Sequence, residues 1–146
     1  MGATKRLAEL ITVAEASERF RPVVVRFGNI LASSGSFVEV MRERIAQGRP
    51  LIVTDPDASR YFMTVTEAVS LVMKAATLAT GGETFWLDMG EQVRIGDLVD
   101  RLLREAARCG LPPVPVEIVG LRPGEKCVEE LTSQGLEMHR TAHPRV

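Results

Sequence analysis

The sequence predicts an α/β fold, and three observations carry that reading. Runs rich in β-branched residues alternate along the chain with stretches whose apolar residues recur at helical spacing. The run Val23, Val24, Val25, Arg26, Phe27 is almost continuously apolar, as a strand is when helices cover both faces of a parallel sheet. Two Ser/Thr-x-x-Glu patterns, Ser36 with Glu39 and Thr64 with Glu67, stand at the head of helical stripes.

The elements follow in order. Ala3, Leu7, Leu10, Ile11 and Ala14 form one stripe of an amphipathic helix. No strand or turn precedes it, so the chain is expected to be a piece of a longer protein. Arg21 and Pro22 break the pattern before the strand at 23–27, and the small residues of 28–35 make a loop at its carboxyl end. Open parallel sheets bind ligands at such ends. The helix opened by Ser36 carries Phe37, Val40, Met41 and Ile45 inward and stops at Gly48 and Pro50. Residues 51–54 predict a short strand, Asp55, Pro56 and Asp57 a turn, and residues 59–63 a second strand. Thr64 opens a helix with Ala68, Leu71, Val72 and Ala75 inward, ended by Gly81 and Gly82. Residues 84–88 and 92–95 read as strands. A helix from Asp97 turns Leu98, Leu102, Leu103 and Ala106 to the core and closes at Gly110. After the rigid Pro112-Pro113 connector, the alternation of Val114, Val116 and Ile118 predicts a half-exposed strand. From Gly120 the expectation is a loop, a short helix over 128–131 and a frayed tail.

Composition excludes several classes. At 45% hydrophobic and 25% charged residues the chain is an ordinary globular one, not a disordered one. Eighteen Lys and Arg against nineteen Asp and Glu leave a net charge of -1, which gives no general grip on nucleic acid. Cys109 and Cys127 are too few for a zinc cluster or a disulfide framework, and a reducing compartment is expected. His139 and His143 lie in the polar tail, so no metal site is expected in the body of the chain. No apolar run reaches the ~18 residues of a membrane span, and Glu9 and Glu15 interrupt any signal-peptide core.

Four segments are more specified than packing requires. Met1 and Lys5 stand about one turn apart on a helix face. Arg26 sits inside a buried strand, where it needs a partner, with Asn29 at the strand's mouth. Arg60, Tyr61 and Phe62 share a short strand, and the Pro123-Gly124 turn holds Arg122 and Glu125 in a fixed relation. Each alone reads more simply as surface or structure. In this order and spacing the strings MGATKRLAE, RFGNILASSGS, SRYFMT, LDMGEQVRIGDL and GLRPGEK carry a resemblance. From Met1 to about Leu131 the chain resembles the C-terminal portion of the UDP-N-acetylglucosamine 4,6-dehydratases, the polysaccharide-biosynthesis branch of the extended short-chain dehydrogenase/reductase family.

The resemblance implies an incomplete Rossmann-type parallel sheet plus a small substrate-binding lobe. Residues 1–35 and 65–90 would end the Rossmann-type domain, 36–64 and 91–131 would form the lobe, and 132–146 a tail. It places Lys5 at the lysine of a Tyr-x-x-x-Lys pair, on the cofactor's ribose, and Met1 at the tyrosine position. A thioether cannot exchange a proton as a phenol does. It further implies Asn29 at the diphosphate region, Arg122 and Glu125 at the UDP end, and Arg60 at diphosphate or ribose. Guanidinium groups suit phosphate because their donors are fixed and permanently charged. The cofactor would be NAD or NADP, bound mainly by sequence outside this chain. The expected partners are a UDP-sugar and further copies of the chain, without nucleic acid, metal or membrane contact. The expected location is the cytoplasm, with the parent anchored to the inner membrane. Two other readings stay open, a nucleotide-sugar 4-epimerase, which should keep tyrosine where Met1 stands, and a non-catalytic UDP-sugar-binding or association module. No turnover is expected from this chain alone.

Overall fold

A computed structural model describes residues 2–31, 33, 35–130 and 137–146. The elements in chain order are α1 (Gly2–Ala14), β1 (Val24–Arg26), β2 (Asn29–Ile30), α2 (Phe37–Ala46), β3 (Leu51–Val53), β4 (Ser59–Arg60), β5 (Phe62–Met63), α3 (Val65–Leu78), β6 (Thr84–Trp86), β7 (Val93–Arg94), α4 (Ile95–Arg108) and β8 (Val116–Ile118). By their contacts the described residues fall into two compact units. The first draws on Met1–Phe27, Thr66–Asp88 and Leu131–Val146, the second on Gly28–Val65 and Met89–Glu130. Residues 28–35, expected with the first body, group with the second.

In the first unit β1 and β6 pair in parallel, from Val24 opposite Thr84 to Arg26 opposite Trp86. The partner that Arg26 requires is Glu9 of α1. Arg26 donates from Nε to Oε1 at 2.7 Å and from Nη2 to Oε2 at 2.5 Å, and its guanidinium lies 5.1 Å from the Trp86 ring centroid. A bidentate, charge-assisted pair of this kind ties a helix to a strand. The bond from Arg26 holds the Glu9 carboxyl below its ordinary pKa. Ala68, Leu71 and Ala75 of α3 are buried, as are Phe85 and Leu87, while Val72 is half-buried. Glu83 closes the turn between α3 and β6 by accepting from the Thr80 and Gly81 N–H groups at 2.8 and 2.6 Å. The Thr80 hydroxyl also donates to it, and these bonds bring the Glu83 carboxyl down to about 2.

The tail corrects one expectation. Over its described part it does not fray. The Asp88 N–H donates to the Arg145 carbonyl at 3.0 Å, and the Arg145 guanidinium donates back to the Asp88 carbonyl at 3.0 and 3.2 Å. It also reaches Glu67 at 3.3 Å. Reciprocal polar bonds, invisible to a reading of apolar pattern, hold it.

The second unit contains three two-stranded pairings, β2 with β5 and β3 with β8 parallel, β4 with β7 antiparallel. Its core joins α2, α4 and β3 through Val38, Met41, Ile45, Leu51, Val53, Ala58, Ile95, Val99, Leu102 and Val114. Several expectations change here. Residues 28–35 hold β2 rather than loop alone, because Asn29 and Ile30 find Phe62 and Met63 as partners. The predicted strand at 59–63 divides at Tyr61, where the chain leaves its antiparallel partner for a parallel one. On α2 it is Val38 that is buried, and Val40 is exposed. Helix α4 begins at Ile95 rather than Asp97. Its first N–H groups need acceptors, and the Ala58 and Pro56 carbonyls supply them to Ile95 and Gly96, both at 2.8 Å. Strand β8 is exposed throughout, with Val114 before it buried. Val128 makes a parallel bridge to Ser59 instead of a helix. A four-residue segment is too short to decide between the two by itself, and Leu131 lies outside the described residues.

Candidate functional site

The starts of β2 and β5, the carboxyl ends of β3 and β4, the first turns of α2 and α4, and Glu125 converge within the second unit. They enclose a cavity of about 170 Å³ lined by Asn29, Phe37, Thr54, Ala58, Arg60, Phe62, Ile95 and Glu125. Three of the sequence-derived site residues meet here: Asn29, Arg60 and Glu125.

Their bonds fix them from behind. Arg60 donates through Nη1 to the Ser59 and Cys127 carbonyls, each at 2.9 Å, while Nη2 stands 3.5 Å from Glu125 Oε1. Both ionic side chains are largely covered, 20% and 28% exposed, where charge interactions exceed those at an open surface. Glu125 Oε1 also accepts from the Thr54 hydroxyl at 3.3 Å, and Oε2 from the Arg122 N–H at 3.2 Å. Glu125 itself is set by the turn the sequence announces. Its N–H donates to the Arg122 carbonyl at 2.9 Å across Pro123-Gly124, with Gly124 at φ 80°. A type II turn needs that left-handed residue after proline. Asn29 is oriented by Tyr61, whose carbonyl accepts from the Asn29 N–H at 2.9 Å and from Nδ2 at 3.2 Å.

The result is a small apolar-walled recess with a guanidinium, a carboxylate and an amide at fixed positions. Such a recess suits a polar, anionic ligand with hydroxyl groups. The cation answers phosphate oxygens, and the carboxylate accepts from a hydroxyl.

The remaining site residues lie elsewhere. The Arg122 side chain is exposed and does not line the cavity, although its backbone N–H holds Glu125. Lys5 stands on the exposed surface of α1 in the first unit. Met1 lies outside the described residues. Gly28 and Gly81 stand where a side chain would meet protein. A Cβ on Gly28 would meet Tyr61 Cβ at 2.9 Å, and one on Gly81 would meet Arg21 Cβ at 2.7 Å. At both positions the missing side chain makes room for protein.

Sequence reasoning missed Phe37, Thr54, Ala58, Phe62 and Ile95 as lining residues. Thr54 carries a signal that could have found it, a polar residue closing the apolar run of β3 at its carboxyl end. Of the others, Phe37 reads as a core position and Phe62 and Ile95 as strand residues, while Ala58 carries no signal.

Comparison with known proteins identifies the fold and the family. The chain has the α/β fold of extended short-chain dehydrogenase/reductases, and it resembles the X-ray structure of Pen from Bacillus thuringiensis with a TM-score of 0.81. That match is 36% identical and covers 90% of this chain and 42% of Pen. More particularly, it belongs to the polysaccharide biosynthesis protein family, whose profile matches residues 1–146. It is 45% identical to the capsular polysaccharide biosynthesis protein CapD of Staphylococcus aureus and 46% identical to the probable polysaccharide biosynthesis protein EpsC of Bacillus subtilis. Each match covers 95% of this chain and 23% of the relative, so the chain spans about a quarter of those proteins. A UDP-glucose 4-epimerase of Rickettsia rickettsii is 29% identical over 91% of this chain and 39% of its own length. Among the described residues no helix is long and apolar enough to cross a membrane.

Proposed function

We propose that this chain supplies the substrate-holding part of an NAD(P)-dependent nucleotide-sugar 4,6-dehydratase that acts on UDP-N-acetylglucosamine in polysaccharide biosynthesis. The convergence of Asn29, Arg60 and Glu125 on one cavity carries the reading. In it Arg60 binds the diphosphate, Glu125 accepts from a ribose hydroxyl and Asn29 contacts the diphosphate region, with Arg122 at the UDP end from outside the cavity. The second unit is then the sugar-nucleotide lobe, and the first unit is the end of the Rossmann-type domain. Lys5 meets the cofactor's ribose. When bound, NAD or NADP would supply hydride transfer, and sequence outside this chain would supply most of its binding and the proton transfers. This chain alone is inactive.

The relation to a UDP-glucose 4-epimerase supports a second reading, epimerisation at C4. Both readings require the same nucleotide-binding recess. Calorimetry of the chain with UDP and with NAD tests the division of labour, and the expected result is heat with UDP and none with NAD. The full-length parent, given UDP-N-acetylglucosamine, is expected to form a 4-keto-6-deoxy sugar. A C4 epimer as sole product selects the second reading.

A further inference from the structure

We propose that Glu129 is a positioning residue for this cavity. Its carboxylate, bound to the Tyr61 N–H, pins the 122–130 segment so that Glu125 and the Cys127 carbonyl hold Arg60 in place. The inference rests on the reading of the cavity as a nucleotide-sugar site.

From 125 to 130 burial alternates: Glu125, Cys127 and Glu129 are half-buried, and Lys126, Val128 and Glu130 are exposed. A period of two puts residues 125, 127 and 129 on one face, as along a strand. Two of those three side chains are carboxylates, so polar bonds join the packing of Cys127 against the core in holding the segment down.

Those bonds form a connected set. The Cys127 carbonyl accepts from the Ser59 N–H at 2.8 Å and from Arg60 Nη1 at 2.9 Å, and Val128 bridges Ser59. Glu129 fastens the far end twice. Its Oε2 accepts from the Tyr61 N–H at 3.2 Å, and its carbonyl accepts from Gln92 Nε2 at 2.9 Å. Tyr61 is the residue at which the chain passes from β4 to β5, and its carbonyl is the group that orients Asn29. Glu129 thus takes the N–H of the residue whose C=O sets one wall of the cavity. The same short segment presents Glu125 and the Cys127 carbonyl to Arg60. Without the Glu129 carboxylate, the Tyr61 N–H loses its acceptor and the segment loses its only side-chain anchor to the β4–β5 passage among the bonds described. Arg60 would then keep its charge and lose its fixed direction. No part of this requires Glu129 to touch the ligand.

The experiment is UDP titration by calorimetry on the full chain and on Arg60→Ala, Glu129→Ala and Glu129→Gln, with hydrogen exchange read on each. Glu129→Ala is expected to weaken UDP roughly tenfold, about the effect of one lost hydrogen bond to a charged group. Glu129→Gln keeps an oxygen acceptor and is expected to stay within about threefold of wild type on the same grounds. Exchange should quicken in Glu129→Ala at 59–61 and 125–129 and stay unchanged in α2 and α4. Glu129→Ala binding UDP as wild type does, or exchange quickening equally through α2 and α4, overturns the positioning role. If Arg60→Ala is weakened while Glu129→Ala is not, that role alone fails. If the wild-type chain does not bind UDP, or Arg60→Ala binds it unchanged, the nucleotide-sugar reading fails and the inference fails with it.

Discussion

The two units treat the same kind of helix differently. In the second unit α2 and α4 bury one face each, with Val38, Met41 and Ile45 meeting Ile95, Val99 and Leu102 over Leu51 and Val53 of β3. In the first unit α1 is amphipathic too, yet none of its residues is buried, and Leu7, Leu10 and Ile11 are 58%, 52% and 55% exposed. Helix α3 lies between these cases, burying Ala68, Leu71 and Ala75 while Val65, Val69 and Met73 stay exposed. An amphipathic stripe states only that a helix has a face to cover. Whether it is covered depends on what lies opposite. The candidate site belongs to the unit whose stripes are covered, and a packed scaffold is what holds polar groups at fixed distances.

The largest expected effect tests that contrast directly. Leu51→Ala, at a fully buried position, should cost about 2–5 kcal/mol in urea unfolding, the range for leucine truncation in a packed core. Leu10→Ala, on the open face of α1, should stay within about 0.5 kcal/mol. Equal losses would mean that α1 is covered in solution. Next comes ligand binding, which belongs to the second unit. Arg60→Ala should weaken UDP by about 1.5–3 kcal/mol, measured by calorimetry, and Arg122→Ala by less, because its side chain is exposed outside the cavity.

Acid sensitivity sharpens the comparison from the side of the first unit. The Thr80 and Gly81 bonds lower the Glu83 carboxyl from 4.5 to about 2. A depressed folded-state pKa gives stability that is present above 4.5 and lost as pH falls toward about 2. Glu83→Gln should therefore flatten the acid limb of a stability-versus-pH curve in that window, and an unchanged limb would remove Glu83 from the account. The Arg26 bond lowers Glu9 in the same direction, so Glu9→Gln should flatten the limb further. The smallest expected change concerns association. Replacing both Leu10 and Ile11 with Glu should lower the mass seen by light scattering at high micromolar protein if α1 faces a second copy, and leave it unchanged if not.

Much of the chemistry was legible in the sequence because it is local. The Pro123-Gly124 turn fixes Glu125 by backbone preference alone, and the demand of Arg26 for a partner follows from the cost of burying an unpaired charge. The Ser36 cap of α2 is real, its hydroxyl accepting from the Glu39 N–H at 3.4 Å, although Glu39 returns its bond to Gly35 rather than to Ser36. Apart from β2, the division at Tyr61 and the bridge at Val128, the order of strands and helices followed from apolar period, which needs no knowledge of partners.

The tertiary structure decided what depends on groups far apart in the chain. It chose Val38 over Val40 for the core, gave the start of α4 its carbonyl acceptors from Pro56 and Ala58, and made Val128 a bridge partner of Ser59. It brought Arg60 to Glu125, and Tyr61 to Glu129, across 65 and 68 positions. Local propensity and period weigh each residue against its near neighbours. A buried N–H or a guanidinium is satisfied by whichever acceptor the folded chain places within about 3 Å.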